Sequence, residues 1–204
     1  MFHRSALKSI LNYKVNIVIK VLIMSDFIIF SAGNLLAPIF AIFVMERIHG
    51  AGLEVVGICA SLYYIAKALV ELPVGRFIDK TKSEKDDLWT ALLGTILTAV
   101  IYVVYMFIDQ VWQLYVAHII LGMAAALAYP GWYSIFTRHV DKDKKGVEWS
   151  LYDVMMGIGM SISAALGAFI ADYYGFNTLM MIAFVVTTIG ALLLISIRNK
   201  IYKS

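Results

Sequence analysis

Gly75-Arg76-Phe77-Ile78-Asp79-Lys80 closes a long apolar run and opens a charged loop, and the pattern returns at Gly167-Ala168-Phe169-Ile170-Ala171-Asp172. The step from Gly75 to Gly167 is 92 residues; at that same step Leu35 meets Leu127, Pro38 meets Pro130, Phe77 meets Phe169 and Ile78 meets Ile170. Asp79 and Asp172 miss by one residue. Two prolines and two glycines sharing one register indicate a duplicated unit, because self-similarity at a fixed step is the mark of a repeated module.

What is duplicated follows from hydropathy. The chain is 61% hydrophobic and 15% charged, with mean hydropathy +0.81, against about 25% charged residues in a soluble domain. Its apolar runs cover 15–45, 53–78, 88–108, 111–136, 149–174 and 176–197. Each is long enough for about 30 Å of hydrocarbon. The runs are continuous, not alternating, so helices are expected and barrel strands are not. The fold expected is an all-α membrane protein of six transmembrane helices. Segment 1–14, with Arg4, Lys8 and Lys14 beside Leu7, Ile10 and Leu11, reads as an interfacial helix on an anionic leaflet. Residues 15–204 form the bundle. Asp26 and the length of the first run exclude a cleavable signal.

The loops fix the orientation. Arg4, Lys8, Lys14 and Lys20 precede or enter span one; Arg76, Lys80, Lys82 and Lys85 lie between spans two and three. Arg138, Lys142, Lys144 and Lys145 lie between four and five, and Arg198, Lys200 and Lys203 follow six, whereas the other side carries only Arg47. Both termini are therefore expected in the cytoplasm, with the protein in the cell (inner) membrane. The net charge of +3 does not call for a nucleic-acid partner. The repeat becomes three helices (15–108) plus three helices (111–197), and an odd number per unit inverts the second copy. Inverted three-helix repeats are a transporter architecture with sites near the midplane.

These residues carry a family resemblance. Over essentially its whole length the chain resembles the N-terminal half of a major facilitator superfamily transporter. That family's loop between helices two and three reads Gly-x-x-x-Asp-Arg/Lys-x-Gly-Arg-Arg/Lys. Gly75, Asp79 and Lys80 match it, while Lys82 stands at the second Gly and Ser83 at the Arg. Of the fourth-helix phrase Arg-x-x-Gln-Gly, the stretch His118 to Gly122 keeps the Gly alone. The fifth-helix antiporter signature is echoed by Gly159, Ser163-Ala164 and Gly167-Ala168 without its proline, and the phrase that ends that helix by Gly167, Asp172, Gly175 and Phe176. The resemblance implies a secondary active transporter moving a small solute through the lipid bilayer between two such halves. This chain ends after one. The expectation is a half-size protein that works as a parallel homodimer or with a complementary half. A non-transporting membrane subunit, an assembly component and an inactive truncated half are the alternatives.

Candidate residues follow, each with a plainer role beside it. Asp26, in the inner half of helix one, costs on the order of 3 kcal/mol to insert. It is read as the proton-coupling acid, or as the fixed partner of a base. Lys67 and Glu71, four apart, share a helix face; Lys67 is a counter-charge for an anionic substrate or Glu71 a second proton site, or the two form a self-contained pair. His118 is the repeat equivalent of Asp26, and Asn34 lies about 12 Å along the helix from Asp26, near the depth of His118. Drug–proton antiporters of the family commonly place an acid on helix one and an Arg on helix four; here Asn34 and His118 stand in that relation. They are read as substrate contacts or as one hydrogen-bonded pair. Tyr129, with Trp132 and Tyr133, lines an aromatic pocket or anchors at the lipid interface. Asp153 is read as structural. Gly159, Ser163 and Gly167 form a small-residue stripe suited to close packing, expected at a dimer seam of helices two and five. Gly75, Asp79 and Lys80 read as a cytoplasmic gate. Cys59 lies in an apolar run as a small hydrophobe. The sequence holds no Gly-rich phosphate loop, no clustered metal ligands and no nucleophile–base set, so neither an enzyme nor a cofactor is expected.

Overall fold

Long apolar runs bounded by polar caps dictate a bundle of long helices. The computed structural model describes residues 15–81 and 83–201, and among these every regular element is helical. The expected interfacial segment 1–14 lies outside the described residues. Helix α1 (Ile17–Leu36) begins where the Asn16 side chain accepts a hydrogen bond from the Val18 amide at 3.0 Å, a partner for one of the first-turn amides that the helix itself leaves unbonded. Pro38 cannot donate to the preceding turn, so the chain tightens into a 3-10 turn, Ala37–Ile39, before α2 (Phe40–Arg47) resumes the same apolar run. Helices α3 (Leu53–Thr81), α4 (Glu84–Tyr105) and α5 (Val111–His139) follow. Pro130, the repeat partner of Pro38, sits inside α5 and does not end it. Glu84, Asp86 and Asp87 occupy the first turn of α4, and Arg138 and His139 the last turn of α5, each favourable against the helix dipole.

The last long helical run, α6 (Lys145–Ile195), spans 51 residues and joins two helices across a kink. Gly175 breaks it: φ is 82° and ψ 162°, a backbone conformation that only glycine adopts without strain. A short helix, α7 (Arg198–Ile201), ends the described chain. Among the described residues, five helical runs are long and apolar enough to cross a membrane: Ile17–Arg47, Leu53–Thr81, Glu84–Tyr105, Val111–His139 and Lys145–Ile201. The last of these runs holds the expected fifth and sixth spans, with the non-helical Gly175 between its two helices.

Packing is set by where backbones touch. A Cβ added at Gly159 would lie 2.6 Å from Ser31 Oγ and 2.8 Å from the Phe27 ring, and one at Gly167 would overlap the Leu35 carbonyl. On the far side of the break, Ser25 Oγ donates to the Gly190 carbonyl at 2.9 Å, and a Cβ at Gly190 would meet Ile29 at 2.6 Å. Helix α1 is therefore held by α6 from both sides of Gly175. The Arg47 guanidinium, at the end of α2, donates to the Asn177 side chain just past that break. Two apolar clusters cap the ends of the bundle. One gathers Ile19, Leu22, Leu92, Ile135, Phe136 and Leu194; the other gathers Leu36, Phe43, Val44, Tyr105, Leu114 and Met180. On α1 the fully buried members of the first cluster end at Ile23, with Phe27 packed against it, and the second starts at Leu35. The stretch between them holds Ser25, Asp26, Ser31 and Asn34, so α1 carries its polar side chains in its middle.

Candidate functional site

Asp26 is the most consequential of these. It is 8% exposed, inside a membrane-crossing helix, where an isolated carboxylate is costly. The Tyr152 hydroxyl of α6 donates to its Oδ2 at 3.1 Å. Tyr152 packs on Trp132 and Phe136 of α5, with ring centroids 5.1 and 5.8 Å apart, and edge-on to Trp149 at 6.0 Å. Trp132 Nε1 is buried without a hydrogen-bond partner. The acid thus stands at the edge of an aromatic cluster that holds its one donor in place.

From that cluster an aromatic path runs to the outer surface of the bundle. Trp149 lies 5.8 Å from Tyr133, and Tyr133 lies 5.7 Å from Tyr129. Tyr129 and Tyr133 are 47% and 43% exposed. Over the Tyr129 ring, 5.3 Å from its centroid, sits Lys67 Nζ of α3, which also reaches Glu71 at 3.8 Å. Both Lys67 and Glu71 are half-buried. Two acids, Asp26 and Glu71, are therefore joined by a continuous row of aromatic rings and a lysine. Tyr129, expected to line a pocket, lies in this row; Asp153 is exposed beside it on α6.

Asn34 and His118 are not brought together. Asn34 Nδ2 donates to the Phe30 carbonyl of its own helix at 3.0 Å. The buried His118 lies 3.0 Å from the Leu114 carbonyl and 3.4 Å from the Tyr105 hydroxyl, with its ring 5.0 Å from Phe40. The hydrogen bonds given for each side chain run to other partners, so the hydrogen-bonded pair expected of Asn34 and His118 is not among them.

The stripe of Gly159, Ser163 and Gly167 is also placed differently from expectation. All three are buried, and the two glycines meet α1 of the same chain. Their opposing helix is internal, so this stripe does not form a seam with a second copy. Two residues off in phase, Gly157, Ser161 and Ala165, with Ser150, Asp153 and Ala168 nearby, are exposed along the opposite face of α6, and the space around Gly157 is open. Gly75 is half-buried with open space where a Cβ would stand, and Asp79 and Lys80 are exposed at the end of α3.

Sequence reasoning missed an ionic cluster at that same end. Asp87 is fully buried, and its Oδ2 lies 3.4 Å from an Arg138 guanidinium nitrogen. Glu84 lies 3.9 Å from His139, and Glu148, also buried, accepts the Asp141 amide at 3.0 Å. The signal was present: acids open the third apolar run and bases close the fourth, but the bases were counted only as loop charges. An apolar recess between α4 and α5, lined by Ile101, Val104, Trp112, Val116 and Ile120, presents no ionisable group. Among the described residues no three His, Cys, Asp or Glu side chains are grouped to hold a metal ion.

Compared with known proteins, residues 22–202 match the family model described as Major Facilitator Superfamily. No curated protein matches the chain.

Proposed function

Because the chain belongs to the Major Facilitator Superfamily and is a multi-pass membrane protein of the transporter kind, we propose that it is half of a secondary active transporter coupled to protons through Asp26. The observation that carries this reading is the position of Asp26. It is buried inside a membrane-crossing helical run, beside the first apolar cluster, with a tyrosine hydroxyl as its hydrogen-bond donor. A carboxyl group that costs several kcal/mol to keep charged there is suited to exchanging a proton as the bundle alternates its access. Glu71, half-buried on α3, is the second proton-exchanging group in this reading.

We read α6 as two spans divided at Gly175, giving six spans in two inverted units of three, with both ends in the cytoplasm of the cell's inner membrane. Alternating access needs a second six-helix wall, and we place a second copy of this chain there, parallel to the first. The face of α3 with Leu69, Leu72 and Ile65 is largely exposed, as is that of α6 with Ile162, Leu166 and Phe169. Between those apolar residues run Gly157, Ser161 and Ala165, which allow close helix approach. The seam therefore falls on α3 and on this outer stripe. Gly75, Asp79 and Lys80, next to the Asp87–Arg138 and Glu84–His139 pairs, form the inner gate of this reading.

Liposomes containing the purified protein test the proposal. An imposed proton gradient is expected to drive accumulation of a solute from a screened panel, and collapse of the gradient by an ionophore is expected to stop it. A panel in which no solute moves at any gradient, with the protein folded and dimeric, overturns the transport reading and favours a membrane subunit without transport.

A further inference from the structure

The row of contacts from Glu71 to Asp26 also bears on what the site holds. This step deepens the transport reading and rests on it. We propose that the exposed face between α3 and α5 binds a lipophilic organic cation, held over the Tyr129 ring and against Glu71 in the position that Lys67 Nζ occupies. The lysine itself shows that the ring face accepts a cation at this depth: its ammonium sits 5.3 Å from the centroid, within the range of a cation–π contact. The same ammonium is only loosely tied to Glu71, at 3.8 Å with both side chains about 30% exposed. A contact this long leaves Lys67 able to swing aside on its flexible stem.

Charge decides the sign of the ligand. The residues joined by these contacts comprise two acids, Asp26 and Glu71, against one base, Lys67, and exposed Asp153 adds a further acid next to Tyr152. An anion brought to Lys67 would meet the Glu71 carboxylate and the electron-rich face of Tyr129, both repulsive to it. A cation finds both attractive. Shape decides the rest. Tyr129 and Tyr133 lie 5.7 Å apart at 31°, nearly half exposed, and Trp149 continues the surface. They form a broad aromatic platform with room for a flat or multi-ring apolar body. Lys67 then acts as a tethered occupant that the substrate displaces.

The test compares two ions of the same shape and opposite charge. The full chain is placed in lipid nanodiscs, and equilibrium binding of tetraphenylphosphonium and of tetraphenylborate is measured against empty nanodiscs. Saturable binding of the phosphonium alone is expected. Glu71→Gln and Tyr129→Leu each weaken it about tenfold, and Tyr129→Phe, which keeps the ring, leaves it within about twofold. Lys67→Met tightens it about fivefold by removing the competing cation, a gain that misfolding cannot produce. Saturable tetraphenylborate binding that Lys67→Met abolishes overturns the assignment, and so does partition of both ions equal to that of empty nanodiscs. A protein that moves other solutes but shows no preference for the phosphonium loses this site and keeps its transport reading. One that binds the phosphonium yet moves no solute keeps the site and loses the transport reading.

Discussion

Replacing Gly167 by alanine probes the contact on which the bundle is built. The added methyl group would overlap the Leu35 carbonyl, and Cα of Leu35 would lie 2.7 Å from it. Backbone atoms cannot rotate away as a side-chain tip can, so α1 and α6 must separate locally. Overpacking of this kind costs about 1–3 kcal/mol, offset by up to about 1 kcal/mol for the better helix propensity of alanine. A net loss of about 1–2 kcal/mol is expected. Gly157→Ala, ten residues earlier on the same helix but with open space around it, carries the propensity gain without the clash and is expected to be neutral or up to about 1 kcal/mol stabilising. Reversible unfolding in mixed micelles, followed by circular dichroism, measures both. If Gly167→Ala is as stable as Gly157→Ala, the close approach of α1 and α6 is wrong.

Further outcomes follow from the same contacts. Gly157→Leu is expected to reduce the dimer fraction in native mass measurements from lipid while leaving monomer stability within about 1 kcal/mol; an unchanged dimer fraction removes the outer stripe of α6 from the seam. Arg138→Leu strands the buried Asp87 carboxylate and is expected to cost about 2 kcal/mol in the same unfolding assay, the partial exposure of Arg138 holding it below the 3–5 kcal/mol of a fully buried pair. The double variant with Asp87→Asn recovers most of that loss, and failure to recover shows that the pair does not act as a unit. Tyr152→Phe removes the donor to Asp26 at a stability cost of about 1 kcal/mol and is expected to slow proton-linked transport; unaltered rates leave Tyr152 without a part in coupling. A cysteine introduced by Ser204→Cys is expected to resist an impermeant thiol reagent applied outside intact cells, and rapid labelling reverses the orientation.

What the sequence made legible was the part governed by runs of like residues. Apolar length marked where membrane helices lie. Residues 15–45 read as one span, and the 3-10 interruption at Pro38 inside it went unread. Gly175 marked the break in α6, because its freedom at positive φ is a property of the residue itself. A single acid in an apolar run made Asp26 conspicuous before any contact was known. Direction around a helix was not legible. The small-residue stripe of Gly159, Ser163 and Gly167 and the outer stripe through Gly157 and Ser161 differ by a fraction of a turn, and composition does not say which one meets α1. The same blindness bears on the expected pairing of Asn34 with His118. Tyr152, Asp26's partner across 126 residues of sequence, carries no local sign of its role, because long-range pairing is decided by how α1 and α6 dock. Pro130 shows the limit of the repeat itself: shared sequence with Pro38 did not produce a shared interruption.

Proton movement linked to solute flux is the most direct measure of the central claim. In liposomes enclosing a pH-sensitive dye, the wild-type chain is expected to move protons when its solute is added, with no imposed gradient. Asp26→Asn is expected to abolish that proton signal while the protein stays folded and still exchanges labelled solute down its own gradient. Undiminished proton movement in Asp26→Asn would contradict the account and remove Asp26 from coupling.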